Sequence, residues 1–443
     1  MAEQKLKRNI RMFEAMIFVI GFVIGSGIFL KPSIVLRCMG SSGSAILIWI
    51  IGGIITLCAS LTICEIAAYI PKLGGLYTYL CELYGGAVGY LYGWVEGIIA
   101  SPGGSAAMAI AIATFSTYFV PMSPVQQKLF AILIVLVIVA AQIISTKFSV
   151  YLQTAATIGK MIPIAAIIIW GLMHGTAHSI NFVPVGTSVA GAGSGIGIAL
   201  LGVLWSYDGW INTCTLGDEI ENSPKNLPRA IIGGLLFVIC VYIAFNIAVF
   251  NTIPADQVMT SEKIGVDVSV KLFGEGGTAF ITAGMIISIF GALNAQMICG
   301  TRIALAMGQK KVLLGSAALG AIHPKLKTPI NSLILETVLC VIYILSGSFD
   351  SLTNLTIFAI WIFFTIGIFG IFRLREKFPR DANLYHVPLY PLTPILGIAG
   401  GVYLMFSTVK DSFWGAMLGI GLTLVGLPIY YYCKRKSNLP SNA

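Results

Sequence analysis

Charge is what this chain has least of. Only 10% of its 443 residues are Asp, Glu, Lys or Arg, where a soluble protein carries about 25%. Histidine is rarer still, with four in all, and acids number 18 against 27 Lys and Arg. No HExxH, no G-x-S-x-G and no pair of catalytic aspartates at membrane depth occurs, which argues against an intramembrane enzyme. No ring-forming filter repeat is visible, which argues against a channel. The nine cysteines show no CxxC or other metal spacing and read as small buried hydrophobes. His174 and His178 stand four apart in an expected external loop without a third ligand, so no metal site and no cofactor is expected. No cleavable signal peptide is expected either, because the first apolar run follows KLKRNIR and continues past any small-residue cleavage site.

Apolar residues fill the space that charge leaves: 57% of the chain is hydrophobic and its mean hydropathy is +0.90. The composition is that of an all-α polytopic membrane protein in a lipid bilayer. Twelve apolar segments are expected near 12–37, 43–70, 84–118, 126–144, 149–172, 195–219, 229–252, 275–308, 331–346, 353–373, 391–409 and 412–433. Each is near the 20 residues needed to cross about 30 Å of hydrocarbon, and the third and eighth are long enough to tilt or project. The net charge of +9 does not point to nucleic acid, because the basic residues form short clusters between apolar runs. With the N-terminus placed in the cytoplasm, 20 Lys and Arg fall inside, six outside, and Lys160 in mid-segment. That split predicts twelve crossings of the cell (inner) membrane with both termini cytoplasmic.

Two segments are interrupted. In Met16–Pro32 (MIFVIGFVIGSGIFLKP) the triplet Gly25-Ser26-Gly27 divides an apolar run, and each Gly lowers helix propensity by about 1 kcal/mol. In the sixth segment, Leu204–Trp210 (LWSYDGW) sets a carboxylate and a glycine in mid-run. Unwound backbone in hydrocarbon is tolerated only inside protein or beside a watery cavity. An odd number of crossings separates the two interruptions, so a repeat begun at the sixth segment enters from the opposite side. Paired interruptions in inverted halves mark the site of a secondary transporter. The expected repeats cover 12–172 and 195–373 of a single domain spanning 1–443, with helices 11 and 12 near 391–433 outside them. A break at Gly25–Gly27 offers free amides to an anion and free carbonyls to a cation. With the matching carbonyls near Trp205 and Asp208, the pair suits a zwitterion, a free α-amino acid held by its backbone groups.

FVIGSGIFLKP, IPKLGGLYTYL (Ile70–Leu80), WSYDGW and GDEIENSPKNLPRAI (Gly217–Ile231) resemble the L-type amino acid transporter family of the amino acid–polyamine–organocation superfamily. The likeness is greatest to bacterial exchangers of alanine, serine and cysteine, or of serine and threonine. The resemblance implies the LeuT-type five-plus-five inverted repeat, with helices 1 and 6 unwound at mid-membrane. It implies a sodium-independent antiporter of small neutral L-amino acids. The substrate site it implies is Val23, Gly25, Ser26, Gly27, Trp205, Ser206 and Asp208. Its carboxylate end is the Ser26 and Gly27 amides and the Ser26 hydroxyl, and its ammonium end the carbonyls of Val23, Trp205 and Asp208. Trp205 is the gate over the substrate, a larger ring than the Phe of many relatives and one that favours small side chains. Lys160 is implied to replace the bridging sodium between segments 1 and 8. Tyr242 and Asn294 are expected as polar supports of that site, and the Asp208 side chain as a cap of the inner half of segment 6. Glu65, Asp218, Glu219 and Glu221 are expected in an inner gate, while Glu96 and Glu336 are buried acids without an assigned role. The animal relatives' disulfide-linked heavy chain is not expected, since Val120–Gln127 contains no cysteine. Two alternatives share the fold: a proton-coupled symporter using Lys160, and a cationic amino acid or polyamine transporter using Asp208.

Overall fold

The computed structural model describes residues 10–70, 74–144, 159–175, 180, 182, 195–216, 220–326 and 328–437. Lys5, Lys7, Arg8, Lys72, Lys147 and Lys327 from the charge count lie outside them, as do His178, Asp218 and Glu219. Nearly everything described is helix, with one isolated bridge between Ile10 and Ile220. Among the described residues eight helices are long and apolar enough to cross a membrane, or nine if one bent pair counts as a single span. Two shorter apolar helices, Met161–His174 and Ile330–Ser346, accompany them. This is a polytopic membrane architecture.

The first span is the bent pair. Helix α1 (Met12–Val23) and helix α2 (Gly27–Met39) meet at 50° across residues 24–26. Helix α2 ends at Gly40, whose φ of +74° lets the Leu36 carbonyl accept its amide. Ser41 then caps helix α3 (Ser42–Tyr69) by accepting from the Ser44 amide. That hydroxyl replaces a bond that the first turn of a helix cannot make within itself.

The third segment is less continuous than its sequence suggests. Helix α4 (Leu76–Tyr84) stops at Gly85, at φ +93°, before the long helix Gly86–Ser116 begins. That helix contains a π turn at Glu96–Ala100, a widening common at functional sites. The eighth segment also reaches further back than expected, to Ile264, and is broken at Gly274 (φ +64°) on its way to Gln309.

Burial sorts the helices into an inner and an outer set. Gly86–Ser116 and Phe349–Lys377 are largely buried, whereas Pro124–Ile143 and Phe413–Arg435 are largely exposed. The exposed faces are apolar. Ile334, Val338, Ile342 and Leu345 form one stripe and Leu129, Leu133, Leu136 and Val137 another, at helical spacing. Polar groups sit inside instead: Ser26, Lys31, Glu65, Glu96, Lys160, Asn246, Asn294 and Glu336 are all buried. Apolar surface outside and polar side chains within is the arrangement that a lipid solvent selects.

Candidate functional site

The break in the first span is built by its own sequence. Ile24 adopts an extended conformation (φ −74°, ψ 103°) and ends α1, while Ser26 starts α2. The last turn of α1 leaves carbonyls without intrahelical partners, and side chains from distant segments reach them. Lys160, at the head of Met161–His174, donates from Nζ to Gly21 O and to Ile24 O, the latter at 2.6 Å. The Tyr242 hydroxyl stands 3.1 Å from Val23 O. At the other side of the break, Phe29 N donates to Ser26 O at 3.2 Å. The amides of Ser26, Gly27 and Ile28 precede it, in the turn that lacks acceptors within the helix.

The second break lies against the first. Ile196–Ser206 is helical, residues 207–209 turn, and a 3-10 helix runs over Trp210–Leu216. Asp208 N donates to Trp205 O at 3.3 Å, so that carbonyl already has one partner. Gly209, at φ +102°, lets the chain pass so close to α1 that a Cβ there would stand 2.9 Å from Phe22 O. Gly27 is held as tightly: a Cβ would lie 2.3 Å from Ser206 Oγ and 2.7 Å from its Cα. Gly25 differs, since a Cβ would meet only Ala292 at 3.9 Å. Tyr242 ties the two breaks together, its hydroxyl also 2.8 Å from Ser206 O. One hydroxyl proton serves one carbonyl at a time, so the two breaks share this donor.

Trp205 covers the junction. Its indole Nε1 is 3.4 Å from Ser26 Oγ, and its ring would lie 3.4 Å from a Cβ on Gly104. Phe349 meets it edge-on, with 6.3 Å between centroids. Asp208 is half-buried beside the turn, its Oδ1 atom buried and unpartnered. Asn294 accepts from Gln142 Nε2 through its backbone O (3.2 Å) and its Oδ1 (3.0 Å). It rides on the helix that packs against both α1 and the Lys160-led helix. The structure therefore brings Val23, Ser26, Gly27, Trp205, Ser206, Lys160 and Tyr242 into one connected cluster, with Gly25 and Asp208 at its edge.

The remaining acids separate. Glu65 is buried and receives both Arg375 Nε and Nη2 at 2.9 Å and the Val387 amide at 2.6 Å. His386 Nδ1 lies 3.6 Å from Oε1 of the same carboxylate. In the loop over this carboxylate, burial pushes the Tyr385 phenol up. Glu221 is exposed, its amide donating to Ile10 O at 2.9 Å. Glu336 accepts from Ser101 Oγ at 2.5 Å and Thr301 Oγ1 at 3.3 Å, and Glu96 opens the π turn. His174 stacks on Trp170 at 6.0 Å. Sequence reasoning did not single out Lys31, which pairs with Asp350 at 2.6 Å while itself 1% exposed. A lysine five residues into an apolar half-helix was the available signal; its partner lies 319 residues away.

Three comparisons bear on this geometry. A family model described as amino acid permease matches residues 10–424. A serine/threonine exchanger of Bacillus subtilis (strain 168), SteT, is 39% identical over 432 residues, covering 97% of this chain and 98% of that protein. The human cystine/glutamate transporter is 28% identical, with 96% of this chain and 85% of that protein covered. The mouse b(0,+)-type amino acid transporter 1 is also 28% identical, with 96% and 88% covered.

Proposed function

From the premise that the chain belongs to the amino acid permease family, within the amino acid–polyamine–organocation superfamily, we propose that it is a sodium-independent exchanger of small neutral L-amino acids. Its relatives are named as transporters and exchangers, not enzymes. Amino acid transport across a membrane is thus the family's activity; the substrate range and coupling are our reading. Small hydroxylated substrates are favoured by the relative named a serine/threonine exchanger. The bulky Trp205 at the junction, which leaves little room for a long side chain, supports them too.

We read the fold as twelve crossings. The bent pair, the two short apolar helices and the Ile196–Ser206/Trp210–Leu216 pair complete that number beside the eight long spans. The five-plus-five repeats place both breaks at mid-membrane, with the termini cytoplasmic. Substrate carboxylate lies on the Ser26 and Gly27 amides and the Ser26 hydroxyl, at the positive end of α2. Substrate ammonium lies among carbonyls at the Val23, Trp205 and Asp208 end. Tyr242 releases one carbonyl when its proton serves the other, and that gives the ammonium an acceptor without a rearrangement of backbone. Alternating access then proceeds by movement of the two broken helices against the others.

The observation that carries the reading is Lys160. A fixed ammonium occupies the carbonyl end of the first break, at Gly21 O and Ile24 O, where a bound cation would otherwise be needed. Purified protein in proteoliposomes loaded with serine should release it only when alanine, serine or threonine is supplied outside, with or without sodium. Lys160→Ala should lower that exchange at least tenfold in a protein that stays monodisperse. Sodium-dependent uptake, or unimpaired exchange by Lys160→Ala, would sink the reading.

One observation favours a second reading, a cationic substrate: the unpartnered buried Asp208 Oδ1 beside the break. A competition panel of twenty amino acids separates them, because only the second reading lets arginine and lysine compete well.

A further inference from the structure

Among the described residues, Lys31 is the most deeply buried cation outside the site just described. It belongs to α2, five residues beyond Ser26, and its side chain is 1% exposed. Its Nζ donates to Asp350 Oδ1 at 2.6 Å and to Thr353 Oγ1 at 2.8 Å, and lies 4.6 Å from the centre of the Phe349 ring. Asp350 itself is 54% exposed. The lysine stem runs over Gly202 of the sixth segment, where a Cβ would stand 3.3 Å from Lys31 Cδ. An ammonium is costly to bury, so a stable buried cation needs these partners to be close together.

Those partners close a circuit. Ser26 contacts Trp205, Trp205 meets Phe349, and Phe349, Asp350 and Thr353 hold Lys31, which returns to the half-helix that carries Ser26. Ser26 at the start of α2 and Lys31 five residues on therefore engage opposite members of the Trp205–Phe349 ring pair. Above Phe349 and Asp350 lies a cavity of about 380 Å³ that Ser33 and Arg37 of α2 also line. Phe349, which meets Trp205, is part of the cavity wall, and α2 cannot separate from Phe349–Lys377 without breaking the Lys31 pair. We infer that Lys31 is a positioning residue for the lid: with Asp350, Thr353 and Phe349 it latches the external side closed over Trp205. This inference rests on the transport reading and on its orientation.

The asymmetry of the pair sets its working. Asp350 faces water and loses little when released, whereas Lys31 must gain hydration as the half-helix moves out. The open state is therefore reached together with wetting of the cavity. A substrate carboxylate at Ser26 draws on the same circuit from its other end, so occupancy favours closure of the latch.

The test uses Ser33→Cys, a buried hydroxyl position without a partner on the cavity wall, in a Cys38→Ala background of the full chain in proteoliposomes. Its labelling by a membrane-impermeant maleimide from outside should rise more than twofold when Lys31→Met is added. Methionine keeps the apolar stem and leaves only the hydrated Asp350 unpaired, so folding is preserved. In exchange assays Lys31→Met should lower the external KM and raise the internal KM, because it populates the outward-open form. Adding Asp350→Asn should change neither further. A labelling rate within twofold of the parent, or KM values that move together on both sides, would overturn the latch. If labelling rises but the parent exchanges no neutral amino acid, the latch stands and the transport reading fails.

Discussion

At the scale of single residues, two neighbouring glycines divide the chemistry of the first break. Gly27 is where two backbones touch: any side chain must displace Ser206, including its Cα, and so the sixth segment itself. Gly25 has room for a methyl group. If the break served only to let helices approach, both positions would be judged by crowding alone. The amide-site reading predicts more. Gly27→Ala should abolish substrate binding, measured as loss of ligand-induced thermal stabilisation. Gly25→Ala should leave a folded protein whose affinity falls only severalfold, because a methyl there stiffens the turn without filling it. Undiminished binding in Gly27→Ala would remove the carboxylate end from this break. Tyr242 adds to the same argument. Its ring packs edge-on against Trp49 (5.5 Å) and tilted on Tyr207 (5.0 Å), so its hydroxyl, not its ring, is the part that spans the breaks.

At the scale of elements, buried pairs tie helix ends that the chain order keeps apart. Glu65 closes helix α3 and Arg375 lies near the end of Phe349–Lys377, with His386 and Val387 contributed by the loop beyond. The Arg375 guanidinium also lies 3.6 Å over the Tyr390 ring. A carboxylate with this many donors costs more to delete than a surface ion pair of about 0–1 kcal/mol. Glu65→Gln should therefore destabilise the protein by about 2 kcal/mol, read as a lowered Tm, because the amide cannot accept two guanidinium bonds and the Val387 amide together. The discount from a fully buried pair reflects Arg375, which is 30% exposed and keeps some hydration. A Tm unchanged in Glu65→Gln would mean that the loop, not the pair, holds these ends. Sequence reasoning placed Glu65 at an inner gate on its position alone, and it had no means of choosing Arg375 among the nearby basic residues. Composition and apolar run length mark helices because lipid imposes them locally. A partner 310 residues away is set by packing, and no local pattern records it.

At the scale of the whole molecule, the same division recurs. Both breaks were legible because Gly-Ser-Gly and Asp-Gly are local insults to an apolar helix. Lys160 was legible because an ammonium in the middle of an apolar run is rare. The Lys31 pair was not: five residues beyond the break, Lys31 counted simply as an external charge, yet it proves buried. Its burial removes it as evidence for orientation, and the remaining bias of basic residues still favours cytoplasmic termini. That orientation can be tested by positions on either side of the last span. Ser412, just before Phe413–Ser437, and Arg435, in its last turn, are both exposed, and Arg11 is exposed just before α1. In right-side-out vesicles, Ser412→Cys should react with an impermeant maleimide, while Arg435→Cys and Arg11→Cys should react only after permeabilisation, each measured as label above the parent's. Matching behaviour at 11 and 435 requires an even number of crossings, and opposite behaviour at 412 requires the last helix to span. External labelling at 435 but not at 412 would invert the protein, and with it the side on which the Lys31 latch closes.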